Sequence, residues 1–244
     1  MLKLNIRILN WSKLMKINGF QKMTVLDYPK RVACTLFTAG CNLRCPFCHN
    51  AGLVTHIDNS INYDENEILA YLKKRVGILD GICITGGEPL LQPDIENFIA
   101  KVKEIGYSVK LDANGCYPDA LKNLIDKNLV DYVAMDIKNS KEKYALTVGI
   151  ENFDISPIEK SVQILLNSNI DYEFRTTIVK EFHTPDDIQD IGVWIKGAKN
   201  YFLQNFVDSG DLICGNLSAV EKNDLYSMQQ KLTDYVQNCE IRGI

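Results

Sequence analysis

Three of the eight cysteines in the chain are clustered as Cys41-Asn-Leu-Arg-Cys45-Pro-Phe-Cys48, which is a C-x3-C-x2-C spacing. Thiolates are soft ligands that suit zinc, copper(I) and iron–sulfur clusters. A [4Fe–4S] cluster normally takes four cysteines, one for each iron. Three cysteines in one loop therefore leave one iron free to bind a substrate or cofactor, and an open coordination position indicates a reactive metal site. The spacing favours a working cluster on Cys41, Cys45 and Cys48.

Three other interpretations of this loop stay open. The cysteines could form a structural zinc site with His49 as the fourth ligand, although His49 directly adjoins Cys48. Cys45-Pro-Phe-Cys48-His49 also matches the C-x-x-C-H pattern of c-type haem attachment, which generally belongs to exported proteins. The cysteines could also be buried packing residues, which the polarity of the loop disfavours. The reactive cluster is favoured over all three.

Other candidate site residues follow, or lie within, short β-like runs. The runs are Val32–Phe37, Gly81–Thr85, Ser108–Asp112, Tyr132–Asp136, Tyr172–Thr177 and Tyr201–Phe206. The residues, in chain order, are Gly86, Gly87, Glu88, Asp112, Asn114, Asp136, Lys138, Arg175, Gln204 and Asn205. Because reactive groups collect at the carboxyl ends of parallel strands, we expect these positions to line one mouth together with the cysteines. Glycines let a backbone approach a ligand closely, and Glu88 offers a carboxylate to a cationic amine. Taken singly, each motif could be an ordinary turn.

Segments between most of these runs have helical periodicity. An apolar stripe over 95–105 ends at Gly106, and a second stripe over 188–195 begins after Thr184-Pro185. Ser218 and Glu221 predict a capping box for a C-terminal helix over about 218–238. Strands that alternate with helices imply a parallel sheet, and about six units predict an α/β fold with a partial, open (β/α)6 barrel similar to a TIM barrel. Residues 15–244 are predicted to form one domain after an N-terminal extension, residues 1–14.

Composition excludes several classes of function. The formal net charge of −4 shows no basic excess, so no nucleic-acid partner is expected. No apolar stretch approaches the length of a membrane span. Lys3 and Arg7 interrupt the first apolar residues and no small-residue cleavage site follows, so no signal peptide is predicted. We therefore expect a cytoplasmic protein that has no membrane partner and uses its clustered thiols to bind metal.

The cysteine motif after the first strand and Gly86-Gly87-Glu88-Pro89 after the second resemble the radical S-adenosylmethionine superfamily, over about residues 19–210. Phe47 fits the motif, since an aromatic residue commonly precedes the third cysteine in that superfamily. With His49-Asn50 and the segment 19–29, the chain is most similar to enzymes that activate glycyl-radical proteins. Within that group it resembles the activating protein of anaerobic ribonucleoside-triphosphate reductase.

The resemblance implies a role for each candidate residue. Cys41, Cys45 and Cys48 would hold a [4Fe–4S] cluster whose open iron binds S-adenosylmethionine. The contacts implied for that cofactor are Phe47 beside the cluster, Gly86, Gly87 and Glu88 at the amino group, Asn114 near the ribose, Lys138 and Arg175 near the carboxylate, and Gln204 near the adenine or ribose. Asp112 and Asp136 resemble positions that hold a monovalent cation beside the cofactor in one related activase.

The resemblance also implies an activity. Such an oxidoreductase takes one electron from a donor such as flavodoxin or ferredoxin, cleaves S-adenosylmethionine reductively, and leaves a glycyl radical on a partner enzyme. Two alternatives stay open. The chain could be a radical S-adenosylmethionine enzyme that acts on a small molecule, such as a pterin in 7-deazaguanine synthesis, or a non-catalytic adaptor that binds zinc.

Overall fold

The computed structural model describes residues 15–244, whose strands form one eight-stranded sheet. The strands are β1 (Ile17–Thr24), β2 (Ala33–Thr38), β3 (Gly81–Gly86), β4 (Ser108–Ala113), β5 (Tyr132–Asp136), β6 (Asp171–Ile178), β7 (Asn200–Asn205) and β8 (Asn238–Arg242). They pair in chain order: β1 is antiparallel to β2, and β2 to β8 are parallel. Within the described residues β1 and β8 do not pair with each other. The sheet is therefore open, which confirms the predicted partial barrel.

Helices connect the parallel strands. They are α1 (Ala51–Val54), α2 (Glu65–Lys73), a 3-10 helix (Pro89–Leu91), α3 (Ile95–Ile105), α4 (Pro118–Asp126), α5 (Tyr144–Val148), α6 (Ser156–Leu166), α7 (Pro185–Trp194) and α8 (Lys222–Gln230). Both predicted apolar stripes are confirmed as helices. Helix α3 ends at Gly106, whose φ of 104° favours glycine, and α7 begins after Thr184, which forms a capping box with Asp187. Among residues 15–244, no helix is both long and apolar enough to cross a bilayer.

The prediction for the C-terminal segment is wrong. Helix α8 is shorter than the predicted 218–238 helix, and Glu221 rather than Ser218 is its N-cap, without a side-chain hydrogen bond. The chain leaves the helix after Gln230 because Leu232 and Val236 pack into the core, and Asn238 then begins β8 beside β7. The predicted extension, residues 1–14, lies outside the described residues.

The two faces of the parallel strands differ in chemistry. Ile82, Ile84 and Leu111 are fully buried and belong to the apolar core that the sheet forms with the helices. Residues between such apolar positions, including Lys110 and Asp112, line polar cavities on the other face, because successive side chains of a strand point to opposite sides. A closed TIM barrel fills this interior with packed, mostly branched apolar side chains. Here the interior provides the walls of a polar site.

Candidate iron–sulfur and cofactor site

The cysteine cluster lies in the loop that follows β2, and distant parts of the chain hold this loop in place. The Arg44 N–H donates to the Val148 C=O, at the end of α5, over 2.9 Å. The Cys214 N–H donates to the Pro46 C=O, also over 2.9 Å. Because both partners are more than a hundred residues away along the chain, the loop takes this shape only when the chain is folded.

The three thiols line one cavity. Cys45 is 7% exposed, and Cys41 and Cys48 are half-buried. The Cys41 sulfur accepts hydrogen bonds from the Leu43 N–H over 3.4 Å and from the Asn114 side-chain amide over 3.7 Å. Burial raises the pKa of the Cys45 thiol to about 12, and it raises the pKa of Cys41 as well. The thiolate forms therefore need the positive charge of bound metal, and metal binding would release the thiol protons.

The thiols are not arranged around a single ion. Within residues 15–244, no group of three or more His, Cys, Asp or Glu side chains could hold one metal ion. A [4Fe–4S] cluster does not require the three thiols to surround one ion, because each cysteine binds a different iron. The His49 ring packs against Phe206, with 5.7 Å between ring centroids. The donor set thus fits a cluster better than the alternative zinc site with His49.

Gly86 and Gly87, at the end of β3, pack directly against the start of the cysteine loop. Gly86 has a φ of 114°, in the region that favours glycine, and a Cβ there would collide with the Thr38 backbone. A Cβ on Gly87 would overlap the Gly40 carbonyl group. The Gly87 N–H also donates to the Thr38 C=O over 2.8 Å. Contact between two backbone segments therefore requires both glycines, which also line the cavity.

The Glu88 side chain, which the resemblance implies at the amino group of S-adenosylmethionine, does not line the cavity. It is 0% exposed, and its two oxygens accept hydrogen bonds from the backbone N–H groups of Leu90, over 2.9 Å, and Asn114, over 2.8 Å. Burial raises the pKa of Glu88 to about 7, although these two hydrogen bonds oppose the shift. Glu88 thus joins the loop after β3 to the loop after β4, which makes it a positioning residue.

Five charged side chains form a continuous set of ion pairs inside the barrel. Asp112 pairs with Lys110 and, over 3.2 Å, with Arg175. Asp136 pairs with Arg175 and with Lys138, each over 2.9 Å. Burial opposes ionisation of Asp136, but the neighbouring cations hold its pKa at about 2, and they hold the pKa of Asp112 below its ordinary value. The carboxylates in turn raise the pKa values of the three cations against the effect of burial, so all five groups are charged near neutral pH.

The remaining predicted residues, Phe47, Asn114 and Gln204, also line the cavity. Asn114 is held in place because its Oδ1 accepts from the Cys116 N–H over 2.9 Å. Phe47 is buried and packs against Phe182, with 5.9 Å between ring centroids.

Sequence reasoning missed some cavity residues and included one that lies elsewhere. Asn50 lines the cavity and donates from Nδ2 to the Gly86 C=O over 2.8 Å. Thr177 also lines it, and strict alternation along β6 from Arg175 could have predicted this position. Asn205 instead exchanges hydrogen bonds of 3.2 Å with the Val220 backbone.

These contacts build one cavity of about 210 Å³, which is partly open to solvent. With Glu88 and Asn205 as the exceptions, it brings together the residues predicted for the site: Cys41, Cys45, Phe47, Cys48, Gly86, Gly87, Asp112, Asn114, Asp136, Lys138, Arg175 and Gln204. Soft thiolate ligands, cations and amides therefore converge within one open parallel barrel.

An open parallel barrel with this cysteine loop at the carboxyl ends of its strands defines a class of enzyme. The sequence model of the Radical SAM superfamily matches residues 35–194. The chain belongs to the radical S-adenosylmethionine superfamily, whose members use a [4Fe–4S] cluster and S-adenosylmethionine.

Within the superfamily, similar sequences are those of glycyl-radical enzyme activating enzymes. A Methanocaldococcus jannaschii protein that is named provisionally as such an enzyme is 33% identical over 236 residues, which cover 93% of this chain and 96% of that protein. The pyruvate formate-lyase-activating enzyme of Staphylococcus aureus is 35% identical over 131 residues, which cover 49% of this chain and 52% of the relative. Neither relative is named as an activator of ribonucleotide reductase.

Solved structures share the fold at low sequence identity. A domain of the pyruvate-formate lyase-activating enzyme from Bacteroides vulgatus has a TM-score of 0.55 at 16% identity, over 67% of this chain and 99% of that chain. SuiB of Streptococcus suis, crystallised with its precursor peptide SuiA, has a TM-score of 0.66 at 14% identity, over 84% of this chain and 47% of that chain. At these identities the likeness concerns the fold alone.

Proposed function

We propose that this protein activates a glycyl-radical enzyme, using a [4Fe–4S] cluster and S-adenosylmethionine to form the radical on a glycine of its partner. One observation carries the proposal: the three cysteines line the same cavity as the cations Lys138 and Arg175. The similarity to the Methanocaldococcus protein over 93% of the chain supports the activating branch of the superfamily.

In this proposal Cys41, Cys45 and Cys48 hold the cluster and leave one iron open. Lys138 and Arg175 bind the carboxylate of S-adenosylmethionine. Both cations retain N–H groups for this purpose, because Lys has three donors and Arg has five, and their ion pairs in the barrel use only some of them. When bound, the reduced cluster and S-adenosylmethionine supply the one-electron cleavage that yields a hydrogen-abstracting radical.

Polar groups around the cavity orient the rest of the cofactor. Asn114 would bind the ribose, and Gln204 the adenine or ribose. The backbone at Gly86 and Gly87 would meet the amino group, since Glu88 has its oxygens on other backbone donors. Phe47 would pack beside the cluster and exclude water from it.

We further propose that the partner is an anaerobic ribonucleoside-triphosphate reductase and that the electron donor is a flavodoxin or ferredoxin. The support is the resemblance of the segment 19–29 and of His49-Asn50 to that subgroup. All eight cysteines are free thiols, which suits a reducing cytoplasm.

The experiment that tests the activity is anaerobic. The protein is reconstituted with iron and sulfide, reduced with dithionite and given S-adenosylmethionine, and 5′-deoxyadenosine is assayed by chromatography. We expect the product from the natural protein and from Cys239→Ala, whose half-buried thiol lies on β8, and none from Cys45→Ala. A cluster-loaded, reduced protein that makes no 5′-deoxyadenosine, with or without the reductase, would contradict the proposal.

The partner is tested by electron paramagnetic resonance. Addition of the anaerobic reductase should give a stable organic radical on the reductase, with about one 5′-deoxyadenosine formed for each radical. Turnover of a small pterin substrate in the absence of any protein partner would instead support the small-molecule alternative.

A further inference from the structure

The ion pairs inside the barrel use every oxygen of the two carboxylates that line the cofactor cavity. Lys110 Nζ binds Asp112 Oδ1, and Arg175 Nη1 binds Asp112 Oδ2 over 3.2 Å. Arg175 Nε binds Asp136 Oδ1 over 2.9 Å, and Lys138 Nζ binds Asp136 Oδ2 over 2.9 Å. Three cations therefore face these two carboxylates, and the other charged side chains of the adjoining cavity are Asp27, Glu173 and Arg242.

This pairing does not fit the monovalent cation that the sequence resemblance implies at Asp112 and Asp136. A hard cation binds to oxygen ligands that carry uncompensated negative charge. Here each carboxylate oxygen already accepts from a cationic nitrogen. A further cation at Asp112 or Asp136 would lie close to these cationic nitrogens in a site largely withdrawn from water, where repulsion between like charges is strong.

Lys110 is the cation that occupies Asp112 Oδ1. Lys138 and Arg175 line the cofactor cavity, whereas Lys110 lies behind Asp112 and does not line that cavity. Lys110 is 3% exposed, and its ammonium group contacts only Asp112 and, at 3.7 Å, the Cys83 sulfur among the described side chains. Lysine is rarely buried to this degree unless it is paired. Without Lys110, Asp112 Oδ1 would lose its cationic partner.

We propose that the Lys110 ammonium group takes the place of a monovalent cation beside Asp112, so that this protein binds S-adenosylmethionine without potassium or sodium. Lys110 acts through Asp112 and Arg175 and is therefore a positioning residue. The inference rests on the proposed function only in that S-adenosylmethionine is the ligand of the cavity.

Binding and unfolding measurements in two salts test this inference. The cluster-loaded, unreduced protein is studied anaerobically in potassium chloride and in tetramethylammonium chloride of equal ionic strength, so that screening is matched. The dissociation constant of S-adenosylmethionine comes from equilibrium dialysis, and the midpoint of thermal unfolding is recorded with and without the cofactor. For the natural protein we expect both quantities to be the same in the two salts.

A variant without Lys110 should depend on potassium. Lys110→Met leaves room and uncompensated charge at Asp112, so we expect the variant to bind S-adenosylmethionine about tenfold more weakly in tetramethylammonium chloride. Potassium should restore the affinity and raise the unfolding midpoint of this variant in a saturable way. Lys122→Met removes an exposed lysine that pairs with Asp126 on α4, and it should behave like the natural protein in both salts.

Saturable stabilisation of the natural protein by potassium, or a tenfold loss of cofactor affinity when potassium is removed from it, would overturn the inference. These measurements on the natural protein test the inference even if Lys110→Met does not fold. The thermal measurement does not require cleavage of the cofactor. Failure of the proposed reaction is therefore distinguishable from failure of this inference.

Discussion

Two backbone N–H groups hold the fully buried Glu88 carboxyl group between the loops after β3 and β4. Its pKa rises from the ordinary 4.5 to about 7 because burial disfavours the charged form. Between these two values the native state retains a proton that the unfolded chain has lost. The stability that this proton contributes is fully present below the unfolded pKa and is lost as the pH rises through the native pKa.

We therefore expect Glu88→Gln to change the pH dependence of stability. In the natural protein, raising the pH from about 5 to about 8 should cost about 2 kcal/mol of unfolding free energy through Glu88, and the variant should lack this loss. Glu159→Gln, at a half-buried position on α6 where the side chain pairs with Lys141, should retain it. Urea unfolding of all three proteins across this range measures the effect. Parallel pH profiles for the natural protein and Glu88→Gln would show that Glu88 does not titrate in this interval.

At the scale of elements, the end of β3 and the cysteine loop form one unit because their backbones touch at Gly87 and Gly40. A methyl group at Gly87 would displace the Gly40 carbonyl and the start of the loop. We expect Gly87→Ala to bind less iron and sulfide after anaerobic reconstitution, as measured by metal and acid-labile sulfide analysis.

Gly106→Ala is the matched control for Gly87→Ala. Gly106 has a positive φ of 104°, which Gly87 lacks, and its Cβ would meet nothing within 4 Å. That variant should lose about 1 kcal/mol of stability from backbone strain and bind a full complement of iron. Equal iron content in the two variants would mean that the glycine turn does not position the loop.

Arg175 links three strands, because its guanidinium group on β6 binds Asp136 on β5 and Asp112 on β4. Arg175→Met would leave two buried carboxylates with too little positive charge. We expect a loss of about 3 kcal/mol or more in unfolding free energy, together with weaker binding of S-adenosylmethionine. Lys196→Met, at an exposed position, should change neither quantity in denaturant unfolding or equilibrium dialysis. An unchanged stability for Arg175→Met would mean that water screens these carboxylates.

The sequence predicts a strand well where one face of that strand is buried in the core. Strands β2 to β7 have a pronounced apolar pattern because the core covers one face of each. The strands β1 and β8 lie at the edges of the sheet, where partial exposure permits Gln21, Lys22 and Glu240, so no such pattern marks them. Glu88 could not be placed from sequence either, because its partner Asn114 is 26 residues away and offers a backbone N–H that carries no residue signature.

At the scale of the whole molecule, the cysteine loop joins regions that are far apart in the chain. Arg44 contacts the end of α5, and Pro46 contacts the segment around Cys214. A cluster that binds this loop only in the folded chain must stabilise the entire fold.

We expect removal of the cluster with a chelator and an oxidant to lower the unfolding free energy by about 3 kcal/mol. The measurement is denaturant unfolding of the cluster-loaded and cluster-free forms under anaerobic conditions. Cys45→Ala should show no difference between the two treatments, since it holds no complete cluster. A cluster-free natural protein of undiminished stability would indicate a loop whose folding is independent of metal.

The division between an apolar outer face and a polar interior has an evolutionary consequence. Ile82 and Leu111 anchor the sheet to its helices, while Thr177 and Gln204 on the opposite face line the site. Because alternate positions of one strand serve the two purposes, a lineage can exchange interior residues, and with them the molecule it acts on, without losing the residues that fold the chain. Selection can therefore diversify the chemistry of such a barrel while its architecture is inherited unchanged.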